Sequence, residues 1–275
     1  MKTQDLRATA VAGYFYPADP DKLTAMIESF LRDVEEEPRP VRAVIAPHAG
    51  LLYSGQCAAH VFGRVWIPPV VVILAPNHTG MFSAPGGASV WARGAFETPL
   101  GRVAVAEKFA GQLEARCPLV AHDPVAHRDE HAVEIELPFL ATLAPESAIV
   151  PIVISFDDWE RARTLAGALA ELIAEWPEDV LLVASSDMTH FEPADRAAEK
   201  DKMALSAVER LDAEELLSAC DRERITMCGR APAATVVEAA RRLGATRAEV
   251  VDYRHSGWVT GDNSNVVAYA GVTIN

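Results

Sequence analysis

Residues 41–50 read VRAVIAPHAG, an apolar run that stops at a proline and delivers a histidine, His48, where the run ends. Residues 70–80, VVVILAPNHTG, repeat the pattern with His78. Residues 180–190, VLLVASSDMTH, supply a third apolar run that ends in a polar cluster holding Asp187 and His190. Short Val-, Ile- and Leu-rich runs of this kind predict strands buried on both faces, as in a mostly parallel sheet. Open α/β sheets bind ligands at the carboxyl ends of their strands, so these three polar ends are expected to converge although they are far apart in sequence.

Working outward, the chain has 275 residues and is 50% hydrophobic, enough for one large α/β domain spanning 1–275. Its formal charge of −14 argues against nucleic acid or an anionic membrane as partner, because those surfaces reward Lys and Arg. The first twenty residues lack the apolar core of a signal peptide, and no stretch has the length of a bilayer span, so a cytoplasmic location is expected. Cys57, Cys117, Cys220 and Cys228 include no CxxC pair and read as thiols rather than a disulfide framework.

Asp19 or Asp21 caps a helix whose Leu23, Met26, Ile27, Phe30, Leu31 and Val34 form one apolar stripe. Residues 54–65 predict a helix of small residues, which with the flanking runs makes a βαβ unit of about 30 residues. Between 81 and 105, glycine, proline and short alternating pieces predict a hairpin or edge strands, placed as a rim over the site. Helices follow at 106–117 and at 131–143, the latter carrying Pro138 as a kink or at a position without a hydrogen bond to lose. A strand at 148–155, an Asp157-capped helix, helices at 193–211, 213–220 and 231–243, and strands at 248–254 and 266–274 complete the reading.

A histidine just after a buried strand stands on a stiff support, which suits a metal ligand or a base. His48 and His78 share that context and read as a metal-binding pair. In SSDMTH, either Asp187 or His190 binds a metal, or Asp187 orients His190 as a general acid/base, with Ser185 and Ser186 as hydrogen-bond partners. Cys228 precedes a predicted helix, whose amino terminus is expected to lower the thiol pKa and make it a nucleophile or a soft ligand; taken by itself it reads equally as an ordinary core thiol. Glu130, His131 and Glu134 share a turn that lines the site or faces solvent, Asn77 stands beside His78, and Asp262 is either a supporting acceptor or part of an Asx turn. His60, His122, His127 and His255 lack a repeated context and read as structural or surface groups.

The ordered set APHAGLLYSG (46–55), PNHTG (76–80), EHAVEIELPFL (130–140), SSDMTHF (185–191), MCGRAP (227–232) and SGWVTGDNSNVVAYAG (256–271) resembles the MEMO family, called AmmeMemoRadiSam system protein B in prokaryotes. The resemblance runs from about Gly13 to the carboxyl end. It implies an α/β fold like that of the class III extradiol (LigB-type) dioxygenases, with a central mixed, largely parallel sheet flanked by helices. It implies that His48 and His78 match the metal-binding histidines and Cys228 the third ligand, where those non-haem iron enzymes use a glutamate. His190 then matches the acid/base histidine, accompanied by Asp187. Two histidines and one anionic ligand leave open positions on Fe(II), the first choice of metal; the thiolate also suits Cu, and Zn fits a redox role least. The chain departs from the usual CGxxPI in carrying Ala233 after Pro232, a smaller residue beside Cys228.

Three readings follow. The first is a metal-dependent redox enzyme, dioxygenase-like, acting on an unidentified substrate. The second is a non-catalytic protein that binds a peptide or the metal itself in the same cleft. In the third, Cys228 is a nucleophile and His190 its base, with no metal.

Overall fold

The computed structural model describes residues 5–81 and 84–275. In chain order its elements are β1 (Leu6–Arg7), α1 (Pro20–Leu31), β2 (Ala43–Ala46), α2 (Leu51–Phe62), β3 (Val70–Pro76), β4 (Ala88–Val90), β5 (Ala95–Thr98), β6 (Gly101–Ala104), α3 (Glu107–Arg116) and β7 (Val120–His122). A 3-10 turn (Glu134–Glu136) leads into α4 (Leu137–Leu143), then β8 (Ala148–Ile154), α5 (Trp159–Glu175), β9 (Val180–Ser185) and β10 (His190–Glu192). The chain closes with α6 (Ala194–Glu209), α7 (Ala213–Glu223), α8 (Arg230–Arg242), β11 (Ala248–His255), α9 (Gly257–Thr260) and β12 (Val266–Ile274).

The main sheet runs β10-β12-β2-β9-β3-β8-β4-β7, with β11 paired to β12. Its centre, β2-β9-β3-β8, is parallel, while β12 meets β2 and β4 meets β8 antiparallel. The sheet is therefore mixed around a parallel core, and the third apolar run lies between the first two. That order brings the carboxyl ends carrying His48, Asp187 and His78 side by side, and it makes the predicted βαβ unit a crossover that spans β9.

Both sheet faces are covered, which is why these strands are apolar at every position. Val70, Val72 and Leu74 face a core shared with Phe109, Leu165, Leu169, Val208, Leu216 and Val236 of the helices on one side. Val71, Ile73 and Ala75 face Leu23, Ile27, Leu51, Val61, Phe139 and Leu140 on the other. The period-2 alternation of a strand thus feeds two apolar layers rather than one.

Local signals acted largely as their chemistry requires. Asp19 caps α1 by accepting from the Lys22 amide, and Pro138 sits in the first turn of α4, where no intrahelical hydrogen bond is lost. The helix expected from residue 131 starts later, after a loop and the 3-10 turn. The cap of α5 is Asp158, not Asp157: the Asp158 carboxylate accepts from the Arg161 amide, whereas Asp157 pairs with Arg230. The expected rim resolves into β4, which joins the main sheet, and the β5–β6 hairpin, which forms a separate sheet with β1. The cleft described below is lined from other segments; residues 82–83 of the expected rim lie outside the described residues.

His127, read as a structural or surface group, is fully buried and donates from Nε2 to the Ser89 carbonyl. Burial pushes its pKa down to about 4. Between that value and the ordinary imidazole value the unfolded chain binds a proton that the folded chain refuses. Stability therefore falls as pH drops through this window, by on the order of 3 kcal/mol from this group. Urea titrations across the window are expected to show a flatter pH slope for His127→Gln than for the wild type; equal slopes would assign the acid sensitivity elsewhere.

Candidate metal centre

His48 follows β2, His78 follows β3, and His131 lies in the loop before the 3-10 turn. Their rings gather at the carboxyl edge of the parallel core, with centroids 5.0 Å (His48–His78), 5.5 Å (His48–His131) and 4.6 Å (His78–His131) apart. One ring nitrogen from each lies within 4.8 Å of the others, the one such group of three or more His, Cys, Asp or Glu donors among the described residues. The three open onto a cleft of about 520 Å³ lined also by Phe15, Tyr53, Asp187, His190, Phe191 and Tyr269.

Each imidazole is oriented from behind. His48 is buried; its Nδ1 lies 2.8 Å from Ser185 Oγ, and its Nε2 lies 3.2 Å from Cys228 Sγ. His78 Nδ1 donates to Glu130 Oε1 at 2.8 Å, and the His78 amide donates to Glu130 Oε2 at 2.6 Å. His131 Nδ1 stands 3.4 Å from the same Glu130 Oε1. Glu130 is thus a buried hub. Burial raises the pKa of its carboxyl, but the His78 contacts and the Ala132 amide outweigh that and hold it below its usual value.

The electrostatics favour ligation. Burial, reinforced by the His78, His131 and His190 rings, pushes His48 well below the usual imidazole range, and burial lowers His131 as well. Both rings therefore stay neutral, the form that donates to a metal. Asp187 Oδ1 accepts from the His48 and Ala49 amides, and burial raises its carboxyl to about 6. The cleft lining includes no Lys or Arg.

Several expected roles change. His190 lines the cleft, but its Nδ1 donates to the Thr226 carbonyl at 3.0 Å and its amide to Thr226 Oγ1, so Thr226 orients the ring while Asp187 pins the backbone of His48. Burial followed by the nearby Asp187 charge pushes the Cys228 thiol up, opposite to the lowering expected from the start of α8. Gly229 explains the crowding: a Cβ there would press on the Ser185 carbonyl and the Ser186 side chain, so only glycine lets α8 begin against the end of β9. Ser186 Oγ accepts from the Gly229 amide and does not line the cleft. Ala233 is buried in the core at the start of α8.

Glu134 is also not a cleft residue. It is fully buried and binds Arg7, the Ala10 and Val11 amides and Tyr16 Oη. Asn77 bonds Ser155 Oγ and the Met81 carbonyl rather than facing the cleft, and exposed Asp262 accepts from the amide and hydroxyl of Ser264, an Asx turn. Glu130, expected to face solvent at least as readily as the site, is 1% exposed. The roles of Phe15, whose ring meets His131 edge-on at 4.9 Å, and of Phe191, 74% exposed and held at φ 60° beside the β10–β12 bulge, carry no signal in the sequence.

Comparison with known proteins is consistent with this architecture. The family model described as Memo-like protein matches residues 7–273. The chain belongs to the Memo family. A MEMO1 family protein of Aquifex aeolicus is 42% identical over 268 residues, covering 97% of this chain and 98% of the relative. One of Methanopyrus kandleri is 38% identical, with 97% and 98% covered. Among solved structures, that of uncharacterized protein JW3007 from Escherichia coli K12 aligns with a TM-score of 0.54 at 14% identity, covering 84% of this chain and 99% of that one. The last likeness concerns the fold alone. Among the described residues of this Memo family chain, no helix is long and apolar enough to cross a membrane.

Proposed function

We propose that this cleft holds a single transition-metal ion on His48, His78 and His131, with Cys228 beside His48 as an additional soft donor, and that the protein is a metal-dependent redox enzyme acting on a small molecule. The observation that carries the reading is the convergence of three imidazoles on a cleft that also presents His190. The donor set fits: each ring is backed by a hydroxyl or carboxylate, the support usual behind metal-binding histidines. Nitrogen and sulfur donors suit Fe(II) and Cu; the resemblance to non-haem iron dioxygenases favours Fe(II), and Zn fits the redox role least. Such an ion would supply Lewis-acid polarisation and electron exchange.

The chain's own residues define the rest. Donation from His190 Nδ1 to Thr226 leaves Nε2 to take or return a proton at the cleft wall. Phe15, Tyr53, Phe191 and Tyr269 make the lining aromatic, and a lining without cationic side chains disfavours phosphate- or carboxylate-rich ligands.

With Fe(II) loaded anaerobically and a substrate panel supplied, oxygen uptake is the expected result. His190→Ala is expected to lower the rate by about 10²–10⁴-fold with metal content unchanged. A rate that survives His190→Ala removes the acid/base assignment. Tight ligand binding with no oxygen uptake across the panel would instead support the second reading, a non-catalytic binder, which the solvent-exposed Phe191 ring at the cleft mouth favours.

A further inference from the structure

Ser185 Oγ lies within hydrogen-bond distance of three groups: His48 Nδ1 at 2.8 Å, the Ala132 carbonyl at 2.8 Å and Glu136 Oε1 at 2.6 Å. A hydroxyl has one hydrogen and two lone pairs, so it donates one of these bonds and accepts the other two. The Ala132 carbonyl can only accept, which assigns it the serine hydrogen. His48 Nδ1 and Glu136 must then both donate: the imidazole carries its hydrogen on Nδ1, and the carboxyl is a neutral acid. An ionised Glu136 would compete with the carbonyl for the single hydrogen and leave one acceptor facing another.

A separate observation agrees. Glu136 is fully buried, and no hydrogen-bond partner among the described residues reaches its Oε2. Negative charge on such an oxygen would carry the full desolvation penalty of a buried anion. Burial accordingly pushes this carboxyl up to about 8, with the Ser185 bond pulling the other way and the Asp187 charge adding to the rise.

We propose that Glu136 is a positioning residue, held as a neutral acid, that acts through Ser185 to fix His48 with its hydrogen on Nδ1 and its Nε2 lone pair turned to the site. His48 and His78 are then unlike donors. Glu130 places a carboxylate behind the His78 ring, whereas the hydrogen-bond relay behind the His48 ring is uncharged. The proposal deepens the metal-site reading, but its primary test uses metal-free protein, so either can fail while the other stands.

The test is NMR of metal-free protein near neutral pH, with labelled glutamate carboxyl carbons and labelled histidine nitrogens. The wild type is expected to show one neutral glutamic acid, absent in Glu136→Gln, and His48 protonated on Nδ1. The side-chain amide introduced by Glu136→Gln still donates to Ser185, so that variant should keep the His48 tautomer. Glu136→Leu frees the serine rotor and is expected to give mixed His48 tautomers, with Fe(II) affinity reduced by about 10–100-fold and rescued in Glu136→Gln. An all-ionised glutamate spectrum in the wild type overturns the proposal, as does an unmixed His48 tautomer in Glu136→Leu. If that variant does not fold, the wild-type carboxyl spectrum decides.

Discussion

His48→Ala combined with His78→Ala is expected to reduce bound metal from about one ion per chain to background while leaving the fold intact. These two imidazoles stand on the rigid carboxyl ends of β2 and β3, and their ring centroids are 5.0 Å apart. The substitutions remove ligands without disturbing the strands, whose buried residues lie upstream. Glu130→Gln should act through His78 and lower affinity by about 10–100-fold, because it weakens the acceptor that orients the ring. The remaining donors separate by softness: His131→Ala is expected to weaken Fe(II) and Cu(I) alike, whereas Cys228→Ser should weaken Cu(I) far more than Fe(II). Metal analysis after anaerobic loading, with circular dichroism as the folding control, provides the check. Equal metal content in the wild type and the double variant would refute the centre.

Much of this was legible because the strongest signals are local. Short Val- and Ile-rich runs that stop at Pro-His or Pro-Asn-His read as buried strands, and their carboxyl ends share an edge once the sheet is parallel. The order β2-β9-β3 is a different matter, since it depends on which strands pair after the chain has crossed over and no residue in the runs encodes it. The same limit applies to Glu130 and Glu134. Both stand in one acidic turn beside His131, and spacing alone cannot say which supports the histidines, since the turn is 3-10 and loop rather than one continuous helix. One carboxylate went to the histidines and the other to the amino-terminal segment. Cys228 misled for a similar reason: proximity to a helix start favours a thiolate, but burial against β9 and the Asp187 charge outweigh it.

Glu134→Ala is expected to cost about 3–5 kcal/mol of stability, the range for breaking a buried ion pair on one side. The carboxylate is fully buried and pairs with the equally buried Arg7 guanidinium while accepting from the Ala10 and Val11 amides and Tyr16 Oη. Its removal leaves a buried cation and three donors without that acceptor, although Arg7 keeps its bonds to the His127 and Glu130 carbonyls. The clamp also reaches the site. It fixes residues 10–16, the Phe15 carbonyl accepts from the Leu51 amide at the start of α2, and the Phe15 ring meets His131. Loss of Glu134 should therefore loosen the His131 side of the cluster before the His48 side, which stands on β2 and is tied to β9 through Ser185. Denaturant titrations of Glu134→Ala, Arg7→Met and the double variant test the pair directly: the double should be markedly less destabilised than the sum of the singles. Additive losses would mean that the two residues stabilise the fold independently, and the amino-terminal segment would then have to be anchored to the site by its backbone contacts alone.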